Sequence, residues 1–337
     1  MREDDAEYAA IERELDNRYQ VVRTLGIGAS GAVYLARERH LHRMVAIKAL
    51  RVDQAWSEAE RARLRGEART IANLTHPGIV PLLAFGETAH TAYMVMPHIG
   101  GETLAGRLQR EGRLPPDDVR AYLAALADAL GYAHREGVVH RDLKPDNVLL
   151  VHDGERSRPV LVDFGIAAFP NRDLGVGVAR ENAGTIHFMS PEQAAGETEL
   201  DGRSDIFALG ALGYLMLTGA VPFDGPSSAV ISARICAGER VPLRVAAPEE
   251  APADLVAAIN KCLETNPAQR WQRAGQLRDA LLGVAGVKRR SRVLRAIAAL
   301  AKRFGIGRRS RPRARTPSTR DKAPSTRAKL NEPSSAP

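Results

Sequence analysis

The sequence predicts an α+β protein built from two unequal lobes. Residues 19–50 contain three short runs rich in β-branched residues and separated by glycines or basic residues, which is typical of antiparallel strands. Residues 57–74 are rich in Ala, Glu, Arg and Leu and predict one helix, after which strand-like runs continue to about residue 97. From about Pro116 the pattern becomes helical. We therefore expect a small β-rich lobe with one helix, then a larger α-helical lobe, with a cleft between them.

The helices of the larger lobe are placed by their periodicity and end signals. The first is long and amphipathic, begins near Pro116 and stops at Gly137, as helices commonly do at a glycine. Further helices are predicted at 204–218, 226–237, 252–263 and 273–284.

The composition is that of a globular protein from a reducing compartment. Of the 337 residues, 44% are hydrophobic and 26% are charged, within the ordinary range for folded domains. The two cysteines, Cys236 and Cys262, form no CxxC pair, so neither a disulfide framework nor a zinc knuckle is expected. The longest apolar runs, such as residues 207–217, are too short to span a membrane, and the acidic first ten residues do not resemble a signal peptide. A cytoplasmic location without a transmembrane segment is predicted.

The net charge of +8 combines two opposite contributions. Residues 286–337 hold 16 Lys/Arg and 2 Asp/Glu, so this segment carries +14 and residues 1–285 carry −6. Residues 285–337 are predicted to be a basic, largely disordered tail, in which 288–307 could form an amphipathic helix. At the other end, residues 1–18 are expected to be an acidic N-terminal extension.

Three glycines in the first predicted hairpin indicate a phosphate-binding turn. Gly26, Gly28 and Gly31 form a GxGxxG pattern, which alone also fits a dinucleotide-binding fold. In that fold a helix follows the glycines, whereas here a strand-like run leads to Lys48, and the Walker pattern is absent. A glycine hairpin lets backbone N–H groups approach phosphate, and a lysine on the neighbouring strand can reach the same phosphates. Glu67, on the apolar side of the predicted helix, is the expected ion-pair partner of Lys48, although either residue alone is more commonly solvated.

Residues 138–150, VVHRDLKPDNVLL, place many charges between two apolar segments. For an isolated HRD triplet, a solvated turn is the simplest explanation. Here DFG at 163–165, SPE at 190–192 and DxRSD at 201–205 follow in order, after GxGxxGxV and VAIK. In this combination residues 19–284 resemble the eukaryotic-type (Hanks-type) serine/threonine protein kinases, in particular the bacterial members.

The resemblance implies a bilobal protein-kinase-like fold that transfers the γ-phosphoryl of Mg-ATP to Ser/Thr hydroxyls of proteins, the chain itself included. Asp142 should accept the proton of the substrate hydroxyl, and Lys144 should neutralise charge on the transferred phosphoryl. Lys48 should contact the α- and β-phosphates, while Asn147 and Asp163 should hold Mg²⁺, or alternatively Mn²⁺.

The resemblance also places the nucleotide between the lobes 19–96 and 102–284, next to a hinge at 97–101. Met96 would be the gatekeeper. Pro97 retains the carbonyl that should accept from adenine, and Ile99 should supply the N–H donor. The expected nucleotide-binding residues are Leu25, Gly26, Ile27, Gly28, Ala29, Ser30, Gly31, Ala32, Val33, Ala46, Lys48, Glu67, Met96, Pro97, Ile99 and Leu149.

Other motif residues are expected to be architectural. Glu192 and Arg270 should form a buried ion pair, and Asp205 should support the backbone of the catalytic loop. His140 and Phe164 should stack with Ile71 and Leu82 in an apolar column that joins the lobes. The remaining histidines, including His134 and His76, are expected to be packing or surface residues rather than metal ligands.

The loop after the DFG motif departs from the family pattern. Residues 166–184 contain no Ser, Thr or Tyr, although Arg141, which in relatives pairs with a phosphate on this loop, is present. We hypothesise that Asp173 or Glu181 is a fixed anion for Arg141; a partner that orders the loop, or a mobile loop with low basal activity, are the alternatives. Thr185 matches the threonine that contacts the catalytic Asp and Lys.

The basic tail leaves several partners open: an anionic membrane surface, an acidic protein, or no partner at all. Nucleic acid is less favoured because no aromatic residue lies among the arginines after Phe304. For the chain as a whole, the alternatives to a protein kinase are a pseudokinase, a binding protein that acts through its tail, and a small-molecule phosphotransferase.

Overall fold

The computed structural model describes residues 11–15, 17–28, 31–51, 57–87, 91–154, 156–164 and 184–283, all within one compact unit. The smaller lobe is a five-stranded antiparallel sheet in the order β1-β2-β3-β5-β4. Its strands are β1 (Tyr19–Gly28), β2 (Gly31–Glu38), β3 (Arg43–Arg51), β4 (Ala84–Glu87) and β5 (Thr91–Pro97). The prediction of a β-rich first lobe is confirmed.

One helix, α1 (Glu58–Ala72), packs on this sheet as predicted. Ser57 begins it with a capping box, since its hydroxyl accepts from the Glu60 amide and its own amide donates to the Glu60 carboxylate. Leu64 and Ala68 are buried against the face of the sheet that contains Leu50. Apolar contact therefore holds α1 by one narrow stripe, and its two flanks carry charge.

The opposite face of the sheet is covered by residues that precede β1. Ile11 and Leu15 pack against a cluster that includes Val45 and Ile47, and the Glu12 carboxylate accepts from the Val21 amide at 2.7 Å. The acidic composition of residues 1–18 gave no sign of this, because within the described part of that segment the apolar contact is made by Ile11 and Leu15 alone. Part of the expected extension is thus built into the small lobe.

The larger lobe is mainly helical, and the long predicted helices are present with ends shifted by no more than three residues. Its helices are α2 (Leu104–Glu111), α3 (Pro116–Arg135), α4 (Pro191–Ala194), α5 (Gly202–Thr218), α6 (Ser228–Ala237), α7 (Leu243–Ala246), α8 (Ala253–Cys262) and α9 (Ala274–Leu281). Helix α5 is buried on nearly every side, packs against α3 and α8, and forms the centre of this lobe.

A small three-stranded sheet lies at the cleft side of the larger lobe. Strands β6 (Glu102–Thr103), β7 (Val148–Asp153) and β8 (Arg156–Leu161) pair antiparallel in that order. A bridge between Ile79 and Leu161 attaches the chain after α1 to this sheet. Within the part of the chain that the structure describes, no helix is long and apolar enough to cross a membrane.

Candidate active site

The glycine hairpin forms one wall of the cleft. The strands pair Gly26 with Val33 and Gly28 with Gly31, while Ala29 and Ser30 lie outside the described residues. Gly31 has φ +127°, and a Cβ there would lie 2.0 Å from the Ala49 carbonyl oxygen. Only glycine fits this close approach between β2 and β3.

Alternation along the strands separates cleft residues from core residues. Val33, Ala46, Met96 and Leu149 are half-buried, whereas their neighbours Tyr34, Val45, Ile47, Val95 and Leu150 are buried. Ala46 pairs with Met96 across β3 and β5, so the expected gatekeeper lies beside the expected adenine contact. Val33, Ala46 and Met96 belong to the sheet of the smaller lobe, whereas Leu149 belongs to β7 of the larger lobe.

The expected hinge follows directly. Pro97 is the last residue of β5 and pairs with Val45, and the chain reaches β6 five residues later. Pro97 and Ile99 are both half-buried. Leu25 and Ile27, on β1, are exposed, and Ile27 at 77% is the most exposed large hydrophobic residue among those described.

The catalytic loop brings its predicted residues into direct contact. Lys144 Nζ lies 3.0 and 3.2 Å from the two carboxylate oxygens of Asp142 and donates to Thr185 Oγ1 at 3.0 Å. The Asn147 amide donates to the Asp142 carbonyl at 2.7 Å and to its carboxylate at 3.1 Å. The expected contact of Thr185 with Lys144 is therefore present, and Lys144 is positioned by both Asp142 and Thr185.

Asp205 holds this loop from below. Its buried carboxylate accepts from the backbone amides of His140 and Arg141, both at 2.8 Å, which confirms its predicted supporting role. Arg141 has φ +65°, so these bonds fix a backbone conformation that a non-glycine residue rarely adopts. Burial alone would raise the pKa of Asp205, but the hydrogen bond and charge of His134, with those from His140, lower it instead.

His134 is a positioning residue that the sequence did not reveal. Its Nε2 lies 2.7 Å from Asp205 Oδ2, a specific contact that the expectation of a packing or surface histidine did not include. The ring fits only because residue 202 is a glycine: a Cβ there would lie 2.4 Å from His134 Nδ1. The only available signal was its place on the helix face that also carries the buried Leu130.

The hairpin of β7 and β8 brings Asn147 and Asp163 to the same end of the small sheet. Val148 pairs with Leu161, and the Val162 amide donates to the Asn147 carbonyl at 3.0 Å, one residue before Asp163. A carboxylate and an amide oxygen are hard ligands that suit Mg²⁺, which takes few protein ligands beside substrate phosphates and water. No group of three or more His, Cys, Asp or Glu side chains able to hold a metal occurs among the described residues, so a protein-only cage is not present in that part.

Lys48 pairs with Asp163 rather than with Glu67, which corrects the sequence prediction. Lys48 Nζ lies 3.1 Å from Asp163 Oδ2, and Glu67 instead contacts Arg63 Nε at 3.3 Å. Arg63 precedes Glu67 by one helical turn, so the two side chains lie on the same flank of α1. Asp163 has φ +60°, another sparsely populated conformation at the site.

The apolar column and the buried ion pair are present. The rings of His140 and Phe164 have centroids 4.7 Å apart, and Ile71 packs against the core that includes Phe164 as well as the cluster that includes Leu82. Both oxygens of Glu192 bind the fully buried Arg270, at 2.7 and 2.8 Å. Arg270 also donates to three backbone carbonyls, those of Arg203, Glu264 and Thr265.

Two predicted features cannot be compared with the structure. Asp173 and Glu181, proposed as anions for Arg141, lie outside the described residues, as does the possible helix 288–307. Near Arg141 the structure shows that Gln193 donates to its carbonyl at 2.8 Å, which ties the loop to α4.

The fold and the ordered motifs define a protein kinase, and comparison with known proteins agrees. A family model of the protein kinase domain matches residues 19–280, so the chain belongs to the protein kinase family. It is 37% identical over 276 residues to the serine/threonine-protein kinase PknB of Mycobacterium tuberculosis, covering 80% of this chain and 43% of that protein. It is 37% identical over 270 residues to the serine/threonine-protein kinase pkn2 of Myxococcus xanthus, covering 79% and 32%.

The solved structures include close matches to the same domain. The kinase domain of Mycobacterium tuberculosis PknI superposes with a TM-score of 0.61 at 30% identity, covering 79% of this chain and 96% of that one. The chain thus contains a bacterial-type Ser/Thr protein kinase domain and spans less than half the length of these two curated relatives.

Proposed function

We propose that this chain is an active protein kinase that transfers the γ-phosphoryl of ATP to Ser and Thr hydroxyls of proteins, itself included. The observation that carries the proposal is the position of Lys144, whose ammonium contacts both the Asp142 carboxylate and the Thr185 hydroxyl. A pseudokinase has no need to keep these groups in hydrogen-bond contact. Intact Lys48, Asn147 and Asp163 support the same conclusion.

The residues define a sequence of events at the cleft. Asp142 orients the substrate hydroxyl and accepts its proton as the oxygen bonds to the γ-phosphorus. The bond between that phosphorus and the β–γ bridging oxygen breaks, and ADP leaves with the electron pair. Lys144 lies where it can balance negative charge on the phosphoryl oxygens during this exchange. The Lys144 ammonium contacts both oxygens of the Asp142 carboxylate, so the two groups lie side by side where the hydroxyl would approach.

Asn147 and Asp163 would hold Mg²⁺, which when bound neutralises the phosphates and keeps them in line for transfer. The oxygen donors and the adjacent ends of β7 and β8 support this assignment. In the present arrangement Lys48 balances the charge of Asp163. A reactive arrangement requires Lys48 to turn to the nucleotide phosphates, which Glu67 is placed on α1 to assist.

The adenine pocket is proposed from the half-buried apolar residues beside the hinge. Val33, Ala46 and Leu149 would contact the two faces of the ring, and Met96 would limit the depth of the pocket. The Pro97 carbonyl and the Ile99 amide would supply the acceptor and the donor.

The test is transfer of labelled phosphate from Mg-ATP to the chain itself and to a generic basic protein. Wild type should label Ser and Thr, and Asp142→Asn should reduce transfer by about three orders of magnitude while still binding nucleotide. A tail-deleted form, residues 1–285, would show whether the tail is a substrate or a requirement. Nucleotide binding without transfer in every form, with Mg²⁺ or Mn²⁺, would make the pseudokinase the better description.

The charge of the tail supports a second, separable proposal, that residues 286–337 attach the protein to an anionic membrane surface from the cytoplasmic side. Sixteen Lys/Arg against two Asp/Glu give an attraction that salt should screen. Sedimentation with phosphatidylserine vesicles should therefore bring down the full chain at low salt but not the 1–285 form. Equal sedimentation of both forms would contradict it, and binding to acidic proteins alone would favour the protein partner.

A further inference from the structure

The charged residues of α1 lie on two opposite flanks of its buried stripe. With about 100° per residue, Glu67 lies about 60° from Leu64 to one side, whereas Arg61 and Arg65 lie about 60° and 100° to the other side. Lys48 projects from the same sheet face as Leu50, against which Leu64 packs. In the structure Glu67 contacts Arg63 and Lys48 contacts Asp163, and a turn of α1 toward this face would bring Glu67 closer to Lys48.

The arginine flank is tied to the far edge of the sheet by one carboxylate. Glu87, the last residue of edge strand β4, binds Arg61 Nη1 at 2.6 Å and Arg65 Nη1 at 2.9 Å. The Glu87 side chain is only 16% exposed. Burial alone would raise its pKa, but the two arginines outweigh this effect and lower it, so Glu87 is charged at neutral pH.

The ion pairs of Glu87 with Arg61 and Arg65 oppose a rotation of α1 toward Lys48. A rotation of α1 that brings Glu67 toward the sheet moves Arg61 and Arg65 away from it, because they lie on the other flank. Such a rotation therefore stretches both ion pairs to Glu87. On the other flank, Arg63 holds Glu67 in a local pair that is lost at the same time.

We propose that Glu87, through Arg61 and Arg65, is an autoinhibitory latch that holds α1 in the orientation in which Glu67 is separated from Lys48. Release of the latch lets α1 turn, Glu67 pair with Lys48, and Lys48 leave Asp163 for the nucleotide phosphates. The predicted effect on catalysis rests on the proposed kinase function. The predicted effect on nucleotide affinity does not, because binding can be measured without phosphoryl transfer. A protein partner or ligand that competes for these arginines would activate the enzyme.

The test uses the full chain with Glu87→Gln, which preserves shape and removes the charge. The variant should raise kcat/KM for ATP by about threefold to tenfold and tighten binding of a non-hydrolysable Mg-ATP analogue, measured by calorimetry, by a similar factor. The matched control is Glu58→Gln, which removes the exposed partner of Arg65 but leaves Glu87 in place. It should change neither quantity by more than about twofold.

A double-mutant cycle distinguishes an effect of Glu87 that acts through the Lys48–Glu67 pair from a general effect of Glu87 on the stability of the lobe. In a Glu67→Gln background the gain from Glu87→Gln should disappear, because the latch acts only through the Lys48–Glu67 pair. Should Glu87→Gln prove too unstable to assay, Arg65→Gln breaks the same latch from the helix and must shift activity and affinity in the same direction.

An unchanged or weaker analogue affinity in Glu87→Gln, or a gain that persists without Glu67, would overturn the proposal. The affinity measurement needs no phosphoryl transfer. If wild type transfers no more than Asp142→Asn, the proposed function fails while the latch is still decided by the binding cycle.

Discussion

The catalytic loop and the Lys48 region face the same cleft but differ in how completely they are assembled. Lys144 and Asn147 already contact Asp142, as the proposed catalysis requires, and the buried Asp205 fixes the backbone of the same loop. Around Lys48, the required partner Glu67 is paired elsewhere and Asp163 takes its place. Under the proposed function, the half that would handle the acceptor hydroxyl is therefore assembled, and the half that would orient the nucleotide is not.

The difference follows from burial. The catalytic loop is attached to α5, which is buried on nearly all sides, so its backbone hydrogen bonds to the buried Asp205 are shielded from water. Helix α1 is attached by a narrow apolar stripe, and its ion pairs lie on half-exposed flanks where several partners are within reach. Buried polar contacts specify one arrangement, whereas exposed charges on one helix allow more than one.

The largest effect should come from the ion pair that anchors the assembled half. Arg270→Gln leaves the Glu192 carboxylate buried without its partner, and we expect a loss of about 3–5 kcal/mol in the free energy of unfolding. Chemical denaturation measures this value. The matched control, Arg203→Gln, removes an exposed pair with Asp201 and should cost less than about 1 kcal/mol; equal losses would show that burial is not the cause.

The same pair predicts a pH dependence. Burial alone would raise the pKa of Glu192, but Arg270 and Ser204 lower it below its ordinary value. The stability from this pair is therefore full above the unfolded-state pKa, about 4.3, and is lost as pH falls through the lower folded-state pKa. Stability measured between neutral and acid pH should fall less steeply in Glu192→Gln than in wild type, and parallel curves would contradict the assignment.

Next in size is the support beneath the catalytic loop. Asp205→Asn turns an amide group toward backbone donors, so kcat should fall by about a hundredfold with little change in nucleotide affinity. Asp201→Asn, at the exposed start of the same helix, is the control and should keep most of the activity. A drop in affinity as large as the drop in kcat would mean that the two halves of the cleft are not separate.

A smaller effect tests the contact between Lys144 and Thr185. Thr185→Ala removes a hydrogen bond to a charged group, and kcat should fall by about tenfold or more. Thr185→Ser keeps the hydroxyl and should restore most of that loss. If Ser and Ala behave alike, the methyl group rather than the hydroxyl matters.

The smallest expected effect concerns Arg141. Asp173→Asn with Glu181→Gln should lower activity by a few-fold if either acid is a fixed anion for Arg141. Activity unchanged from wild type would remove the fixed-anion hypothesis and leave ordering by a partner, or a mobile loop, as the explanation.

The sequence predicted the contacts of the catalytic loop better than those around Lys48. Asp142, Lys144, Asn147, Thr185, Asp205 and the Glu192–Arg270 pair occupy fixed offsets in ordered motifs, and each lies where the motif implied. The partner of Lys48 was mispredicted because Arg63, one turn from Glu67, offers a competing contact that a helical pattern cannot rank. The sequence also did not predict that Glu87 pairs with Arg61 and Arg65. That contact depends on β4 lying at the edge of the sheet next to α1.

Within the fold, long periodic elements were predicted and short elements were not. Strong periodicity located α1, α3, α5, α6, α8 and α9. The eight-residue α2 with its internal glycine, the four-residue α4 and α7, and the short strands β6–β8 gave no comparable signal. The cover formed by Ile11 and Leu15 was missed because two apolar residues in an acidic segment do not stand out. Such contacts depend on which sheet face needs covering, and that is known only once the register is known.

The most direct test of unequal assembly is amide hydrogen exchange on the full chain, with and without a non-hydrolysable Mg-ATP analogue. The amides of His140 and Arg141, which donate to Asp205, should be protected in both conditions and change little. The amides of α1 around Glu67 should exchange faster without nucleotide and become protected when it binds. Fast exchange at His140 and Arg141 without nucleotide, or equal changes in both regions, would contradict the account.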